Sequence, residues 1–482
     1  MQMSQLAAEA PDAAAVTHDG RTVTRGQLES ITNRLARAYA ELGVRQGDYV
    51  TIALPNSIEW VQAVVATWKL GAVPQPLSAR LPDTEYADLL DLTPRALLVG
   101  RPDPRGMVHS VSVDFTPRTE LSDARLPEAV SPSLKSMASG GSTGRPKLIE
   151  AGVDSRFQGA LVAAMMGNLP TDTQLVSVPL SHNTGFTSAT MALATGQHLV
   201  LMKRFDPLEF LRLITEYRVD YLATVPTIMQ RLLPVYRADP GSFDLSSVRR
   251  WWHLAAPCPP HIKEAWIEIL GPEVVWELYG GTELQALTFI SGTDWLSHRG
   301  SVGRVVSGEM KVLDDDGNDC PPDVIGEIYL RPRPGSRPTY RYIGSTAKNR
   351  DGWDSLGDLG WFDVDGYLYL ADRRVDMFTV GGRNVYPAEI ENALSEHPDV
   401  LSCLVVGIPH EDLGQVPHAL VHTGANELDE AGVMAFVAER LAEYKVPRSV
   451  EFVDTPLRDD AGKARRTAVR DDVIARLKAQ AR

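Results

Sequence analysis

Short apolar runs alternate with amphipathic stretches along most of this chain, and that alternation constrains the fold more than any other feature. Leu28, Ile31, Leu35, Tyr39 and Leu42 recur at the spacing that keeps one helix face apolar. Thr24 and Gln27 suit a capping box at the start of that helix, and Gly43 suits its end. Residues 49–54 then read as a strand. Similar runs follow at 198–202, 221–225 and 274–278, with helical stretches between them. Strands alternating with helices predict an α/β fold with a largely parallel, helix-covered sheet.

With 482 residues, 44% of them hydrophobic, the chain exceeds the usual size of one core, and at least two domains are expected. Segment 331–345 is rich in Pro, Gly and Arg and reads as an irregular connection. Residues 366–372 alternate like a strand and give way to charge at Arg373, Arg374 and Asp376. A domain boundary is placed there, dividing the chain into 1–371 and 372–482. The second part carries a helix starting near Pro387, which suits a first helical position, strands at 401–406, 419–422 and 450–453, and a helix over 430–443. That is enough for a small α+β domain.

Composition excludes several function classes. The formal net charge of −14 argues against a general nucleic-acid binder and against docking on anionic membranes, although such a charge also serves solubility alone. Cys258, Cys320 and Cys403 are odd in number and far apart, which fits neither a disulfide framework nor a zinc site. A reduced, cytoplasmic location is expected. Residues 1–15 lack the order of a signal peptide, and no apolar run reaches membrane-spanning length.

The most informative stretch is Ser139-Gly-Gly-Ser-Thr-Gly-Arg-Pro-Lys147. Its glycines Gly140, Gly141 and Gly144 let the backbone turn tightly and approach an anion. Ser139, Ser142 and Thr143 add hydroxyls, and Lys147 adds a positive charge. Consecutive N–H groups in such a loop form an anion-binding nest. The spacing is not that of a Walker loop, and Pro146 blocks direct continuation into a helix. Read alone, the run equally describes a flexible surface loop.

This loop resembles the phosphate loop of the adenylate-forming superfamily, which includes acyl-CoA synthetases. It carries one extra residue and has Leu148 in place of the family's last glycine. The variant is similar to the subgroup of bile-acid and steroid-type CoA ligases. Further motifs follow in family order over nearly the whole chain. Pro179-Leu-Ser-His182-Asn-Thr-Gly185 resembles the substrate-side motif, and Ala255-Ala256-Pro257-Cys258 the adenine-side loop. Tyr279-Gly280-Gly281-Thr282-Glu283, Gly357-Asp358, Arg373, Gly381-Gly382 and Gly462-Lys463 complete the set. The chain departs from the pattern with Leu254 and Asp372 where glycine is usual, and with Val375 at the position that normally holds a charged hinge residue.

The resemblance implies a large N-terminal domain of several helix-covered sheets, a small mobile C-terminal domain, and ATP, Mg²⁺ and coenzyme A as cofactors. It implies that Glu283 binds the metal, a hard cation suited to carboxylate and phosphate oxygens. Thr282 meets the α-phosphate, Tyr279 stacks on adenine, Asp358 holds the ribose hydroxyls and Arg373 makes a second nucleotide contact. Gly381 and Gly382 lie beside the CoA channel. Lys463 bridges the substrate carboxylate and the α-phosphate, where negative charge builds in the transition state. His182, Asn183, Gly185, Trp252 and Leu254 are expected at the acid pocket. Trp251, His253, Met165 and Met166 read equally as pocket or as core.

The expected function is an acid:CoA ligase, working through acyl-AMP on a bulky apolar or polycyclic acid, as a monomer or homodimer. One alternative is an adenylating enzyme that loads a carrier-protein thiol, and another is a catalytically silent nucleotide-binding regulator. Amino-acid activation is disfavoured, because residues 181–186 lack an aspartate to pair an α-amino group.

Overall fold

The computed structural model describes residues 2–139, 146–156, 159–424, 428–459 and 462–480. Among them the largest element is a 14-stranded sheet. Its parallel half runs Ala14–His18, His198–Leu201, Thr173–Val176, Tyr221–Thr224, Arg250–Leu254 and Val275–Tyr279. His198–Leu201 and Tyr221–Thr224 at its centre are almost wholly buried, as expected where helices cover both faces. Past Tyr279 the pairing turns antiparallel, through Leu287–Ser291, Ser301–Ser307, Leu368–Arg373, Trp353–Phe362, Gly326–Arg331 and Glu309–Leu313.

A second, parallel sheet of four strands is ordered Val73–Pro76, Tyr49–Ile52, Arg95–Val99 and Ser110–Val111. The helix Ile58–Lys69 touches strands of both sheets and is therefore nearly all buried. Its neighbour Arg25–Glu41 opens with the expected capping box of Thr24 and Gln27. One continuous core joins these layers, from Ile52, Trp60 and Phe186 to Trp251 and Trp266.

A third sheet is small and antiparallel: Tyr340–Ile343, Lys147–Ala151 and Ser136–Ser139. It corrects the reading of 331–345 as wholly irregular. Tyr340–Ile343 pairs with Ala151 to Leu148, a partner so distant in sequence that no local pattern announces it. Leu148, the departure from the family glycine, is fully buried against Ala53, Tyr86 and Leu98.

The C-terminal part has its own sheet, made of Phe378–Val380, Arg383–Val385, Val400–His410, Gly414–Thr423 and Ser449–Val453, with helices Pro387–Ser395, Glu430–Ala438 and Arg466–Gln480. Its core, which includes Phe378, Ile390, Leu394, Val405, Val421 and Val433, is separate from the main one. The helix expected over 430–443 stops at Ala438, because Arg440 and Leu441 both donate to the Val437 carbonyl and close the end. The central sheet ends at Arg373 and the small sheet begins at Phe378. Val375, in the interval between them, is 54% exposed. Among the described residues no helix is long and apolar enough to cross a membrane.

Candidate active site

The motifs gather along one edge. His182 follows the strand Thr173–Val176, Val225 and Thr227 follow Tyr221–Thr224, Ala255 to Pro257 follow Arg250–Leu254, and Thr282 and Glu283 follow Val275–Tyr279. This is the carboxyl edge of the parallel half-sheet, where open α/β sheets bind ligands.

At one end of the edge, the Tyr279 hydroxyl donates to Asp358 Oδ2 at 2.8 Å. Burial, reinforced by Asp358, pushes that phenol well above its ordinary pKa. Asp358 faces Arg373 across two paired strands, and Arg373 Nε lies 3.4 Å from Asp358 Oδ1. A tyrosine, a carboxylate and a guanidinium therefore form one unit, although 79 residues separate Tyr279 from Asp358. Ala255 adopts φ +72°, a left-handed conformation that costs a non-glycine residue roughly 1–2 kcal/mol. Ala256 and Pro257 continue this loop. A Cβ at Gly280 would stand 2.4 Å from Leu287 Cδ2 and 3.0 Å from the Ala286 carbonyl, so a side chain there would require Leu287 to shift.

At the other end are the groups suited to phosphate. Gly140, Gly141, Ser142, Thr143 and Gly144 lie outside the described residues, as does the side chain of Ser139. Ser139 and Lys147 pair across their two strands. Lys147 is half-buried, and burial lowers its pKa; Arg373 acts in the same direction and Glu283 opposes it. Lys463 is affected in the same way, lowered by burial and by Arg373, with Asp459 and Glu283 opposing. Its side chain is exposed to solvent. Lys147 and Lys463 thus each feel both Glu283 and Arg373, and the excess of positive charge among these four groups suits a polyphosphate.

Glu283 is 7% exposed. Its Oε1 accepts from the Tyr342 hydroxyl at 2.6 Å, and its main-chain carbonyl accepts from Thr339 Oγ1 at 2.7 Å. Gly281 leaves space for the other oxygen, since a Cβ there would lie 2.5 Å from Oε2. Thr282 sits half-buried in the same turn. No cluster of three or more His, Cys, Asp or Glu side chains suited to a metal occurs among the described residues. One carboxylate beside a phosphate site fits Mg²⁺, which is commonly held by one or two carboxylates and the substrate's phosphates. Glu283 would hold that ion, and the ion would neutralise charge on the nucleotide.

Asp459 and Lys463 are tied to each other. Lys463 N–H donates to Asp459 Oδ1 at 2.8 Å, and Asp459 N–H to the Lys463 carbonyl at 2.9 Å. Gly462, at φ +73°, packs against the first turn of the helix Pro226–Ala238, where a Cβ would be 3.3 Å from Thr227 Oγ1. Arg465 reaches Glu85 at 3.3 Å. These contacts turn the C-terminal loop toward Glu283. Below the loop, Arg458 and Arg466 both pair with the buried carboxylate of Glu391, and Arg466 Nε also lies 3.4 Å from Asp376. Asp372, the other departure from a family glycine, accepts from Ala388 N–H at 2.8 Å in the first turn of Pro387–Ser395.

On the acid side, His182 occupies the N-cap of the helix Asn183–Thr195 and is half-buried. Gly185 lets that helix close on its own entry loop, since a Cβ would stand 2.3 Å from the Pro179 carbonyl. Asn183 and Thr187 accept from Lys135, a side chain only 3% exposed whose pKa burial lowers to about 7. Trp252 does not line open space. It is 1% exposed, donates to the Met166 carbonyl at 3.0 Å and packs on Trp276 and Phe289. Trp251 and His253 are also core, Met165 is exposed, and Leu254 is half-buried against the Trp252 cluster. Gly381 and Gly382, at φ +55° and +80°, form an exposed two-residue hairpin turn, a geometry that favours glycine at both positions.

Lys135, Tyr342 and Glu391 were not anticipated as site residues. Only Lys135 left a signal, a lysine directly before an otherwise uncharged strand.

Comparison with known proteins identifies the family. Residues 3–340 match the AMP-binding enzyme family and residues 389–463 match the AMP-binding enzyme C-terminal domain. The chain is 33% identical to a 2-succinylbenzoate–CoA ligase of Geobacillus kaustophilus, over 96% of this chain and 95% of that protein. It is 32% identical to the 3-[(3aS,4S,7aS)-7a-methyl-1,5-dioxo-octahydro-1H-inden-4-yl]propanoyl:CoA ligase of Mycobacterium tuberculosis, over 97% of each. The o-succinylbenzoate CoA synthetase of Bacillus subtilis, solved with its acyl-adenylate, superposes with a TM-score of 0.85 at 27% identity, covering 98% of both chains. The chain belongs to the AMP-binding enzyme family, within the adenylate-forming superfamily, and is an AMP-forming acid:CoA ligase that uses ATP, Mg²⁺ and coenzyme A.

Proposed function

We propose that this chain activates a bulky, ring-bearing carboxylic acid. The substrate carboxylate attacks the α-phosphorus of ATP, pyrophosphate leaves, and the thiol of coenzyme A then displaces AMP from the acyl carbon. The electrostatic interaction of Lys147 and Lys463 with Glu283 and Arg373 carries this reading, because the attack of one anion on another needs its charge neutralised and its partners aligned. In this reading Lys463 bridges the reacting carboxylate and the α-phosphate, and Thr282 meets the same phosphate. Tyr279, Asp358 and Arg373 hold the nucleoside, with Ala255, Ala256 and Pro257 beside the adenine. His182, Asn183 and Leu254 border the acid, and the Gly381–Gly382 turn approaches coenzyme A when the domain 372–482 swings.

Support for a ring-bearing acid comes from the relatives, one named for 2-succinylbenzoate and another for a bicyclic propanoate. The test is acid-dependent pyrophosphate release across fatty, aryl and polycyclic acids, with coenzyme A or a carrier protein as acceptor. Polycyclic or aryl acids should give the highest kcat/KM with coenzyme A. A preference for straight-chain acids overturns the substrate class, and turnover only with a carrier protein overturns the acceptor.

A further inference from the structure

The strand Tyr340–Ile343 brings to the site an aromatic residue to which no role has been given. In its antiparallel pairing with Lys147–Ala151, Tyr342 lies opposite Ile149. Lys147 is two residues from Ile149 and so projects on the same face, diagonally next to Tyr342. The Lys147 ammonium accordingly lies 3.8 Å from the centre of the Tyr342 ring. The same side chain donates its hydroxyl to Glu283 Oε1 at 2.6 Å. Thr339, from the same segment, ties the Glu283 main chain at 2.7 Å. The Tyr342 ring is itself supported edge-on by Tyr340, whose hydroxyl donates to Asp354 Oδ2 at 2.7 Å. One four-residue strand therefore fixes both a carboxylate and an ammonium that arrive from different sheets.

We propose that Tyr342 is a positioning residue for the metal–nucleotide complex, holding Glu283 by its hydroxyl and Lys147 by its ring face. This rests on the reading of Glu283 as the Mg²⁺ ligand. A carboxylate free to rotate pays conformational entropy when it meets a metal. Tethering one oxygen orients the group and leaves the other oxygen for the ion. Partners that orient a metal ligand typically govern affinity by about 10- to 100-fold when removed. The ring contributes separately, because a cation over an aromatic face is attracted to it without being neutralised. Lys147 so held keeps its charge for phosphate.

The experiment uses the full chain and measures binding directly. Mn²⁺·ATP binding is followed by the electron paramagnetic resonance signal of free Mn²⁺, and ATP binding in EDTA is followed by calorimetry. Tyr342→Phe keeps the ring and removes only the donor. It should weaken Mn²⁺·ATP binding about tenfold or more and leave metal-free ATP binding within about twofold. Tyr342→Leu removes both contacts and should weaken metal-free ATP binding as well. The proposal is overturned if Tyr342→Phe binds Mn²⁺·ATP like the wild type, or if it loses both forms of ATP equally. Glu283→Gln serves as the reference: if it does not selectively weaken Mn²⁺·ATP, the failure lies in the assignment of Glu283 and not in Tyr342.

Discussion

Replacing Glu391 with glutamine should disable acid adenylation far more than thioester formation. Glu391 is 6% exposed and receives Arg458 Nη2 at 2.7 Å, Arg466 Nη1, and the Val405 N–H at 2.8 Å. Burial by itself would raise its carboxyl pKa, but Arg466 and Arg458 outweigh that effect and hold it low. The two arginines bracket Lys463 in sequence, so this one carboxylate clamps both ends of the lysine loop. Removing one partner of a buried ion pair costs about 3–5 kcal/mol. Here the loss is smaller: glutamine still accepts a hydrogen bond, Arg466 keeps the Val405 carbonyl and Asp376, and the Arg458 side chain is 26% exposed and can turn to water. Roughly 2–3 kcal/mol of the hold on the loop is lost. If that energy orders Lys463 for catalysis, adenylation falls by about 30- to 160-fold. Pyrophosphate release in a single turnover measures this step, and thioester formation from preformed acyl-adenylate measures the other. The second should fall less than about threefold, because the domain swing proposed for that half-reaction carries Lys463 away from the α-phosphate. Equal losses in both half-reactions, or an adenylation rate within threefold of wild type, would refute the clamp.

Three further outcomes are expected. Lys463→Ala should abolish acyl-AMP formation while retaining most transfer from preformed acyl-AMP; wild-type formation of the adenylate would remove Lys463 from its role. Ala255→Gly should raise stability by about 0.5–1 kcal/mol, because the left-handed penalty at φ +72° exceeds the extra backbone entropy that glycine loses on folding; a lower melting temperature contradicts this. Asp372 is raised to about 6, chiefly by burial. A carboxyl raised on folding contributes stability that is full below its unfolded value near 4 and is lost as pH rises through about 6. The melting temperature of Asp372→Asn should therefore gain on the wild type between about pH 4 and pH 7, and a constant difference across that window sinks the assignment.

Several of the candidate site residues lie in short motifs that the sequence itself displays. The turns at Gly281 and Gly462 and the chemistry of Glu283, Asp358 and Lys463 lie within short motifs, where residue type and backbone freedom act over a few positions. The capping box at Thr24 and Gln27 is local in the same sense. Trp252 was misplaced because an aromatic next to a motif has no local mark distinguishing a pocket wall from core. Its burial is decided by Trp276 on the neighbouring strand and Phe289 beyond it. The helix expected over 430–443 was overextended because its apolar residues continue past Ala438, whereas the stop is made by hydrogen bonds to the Val437 carbonyl.

Sequence alone determined the family, the order of the motifs, the type of chemistry and the separation into a large and a small part, since each depends on residue identity at short range. Only the tertiary structure decided which groups meet. The pairing of Tyr340–Ile343 with Lys147–Ala151 put Tyr342 between Lys147 and Glu283, the facing of two antiparallel strands joined Asp358 to Arg373, and the packing of Gly462 on Thr227 set Lys463 within reach of the fields of Arg373 and Glu283. Strand register and domain docking are set by burial summed over many distant contacts. No short window of sequence contains that sum, so the partners it selects become visible only when the chain is folded.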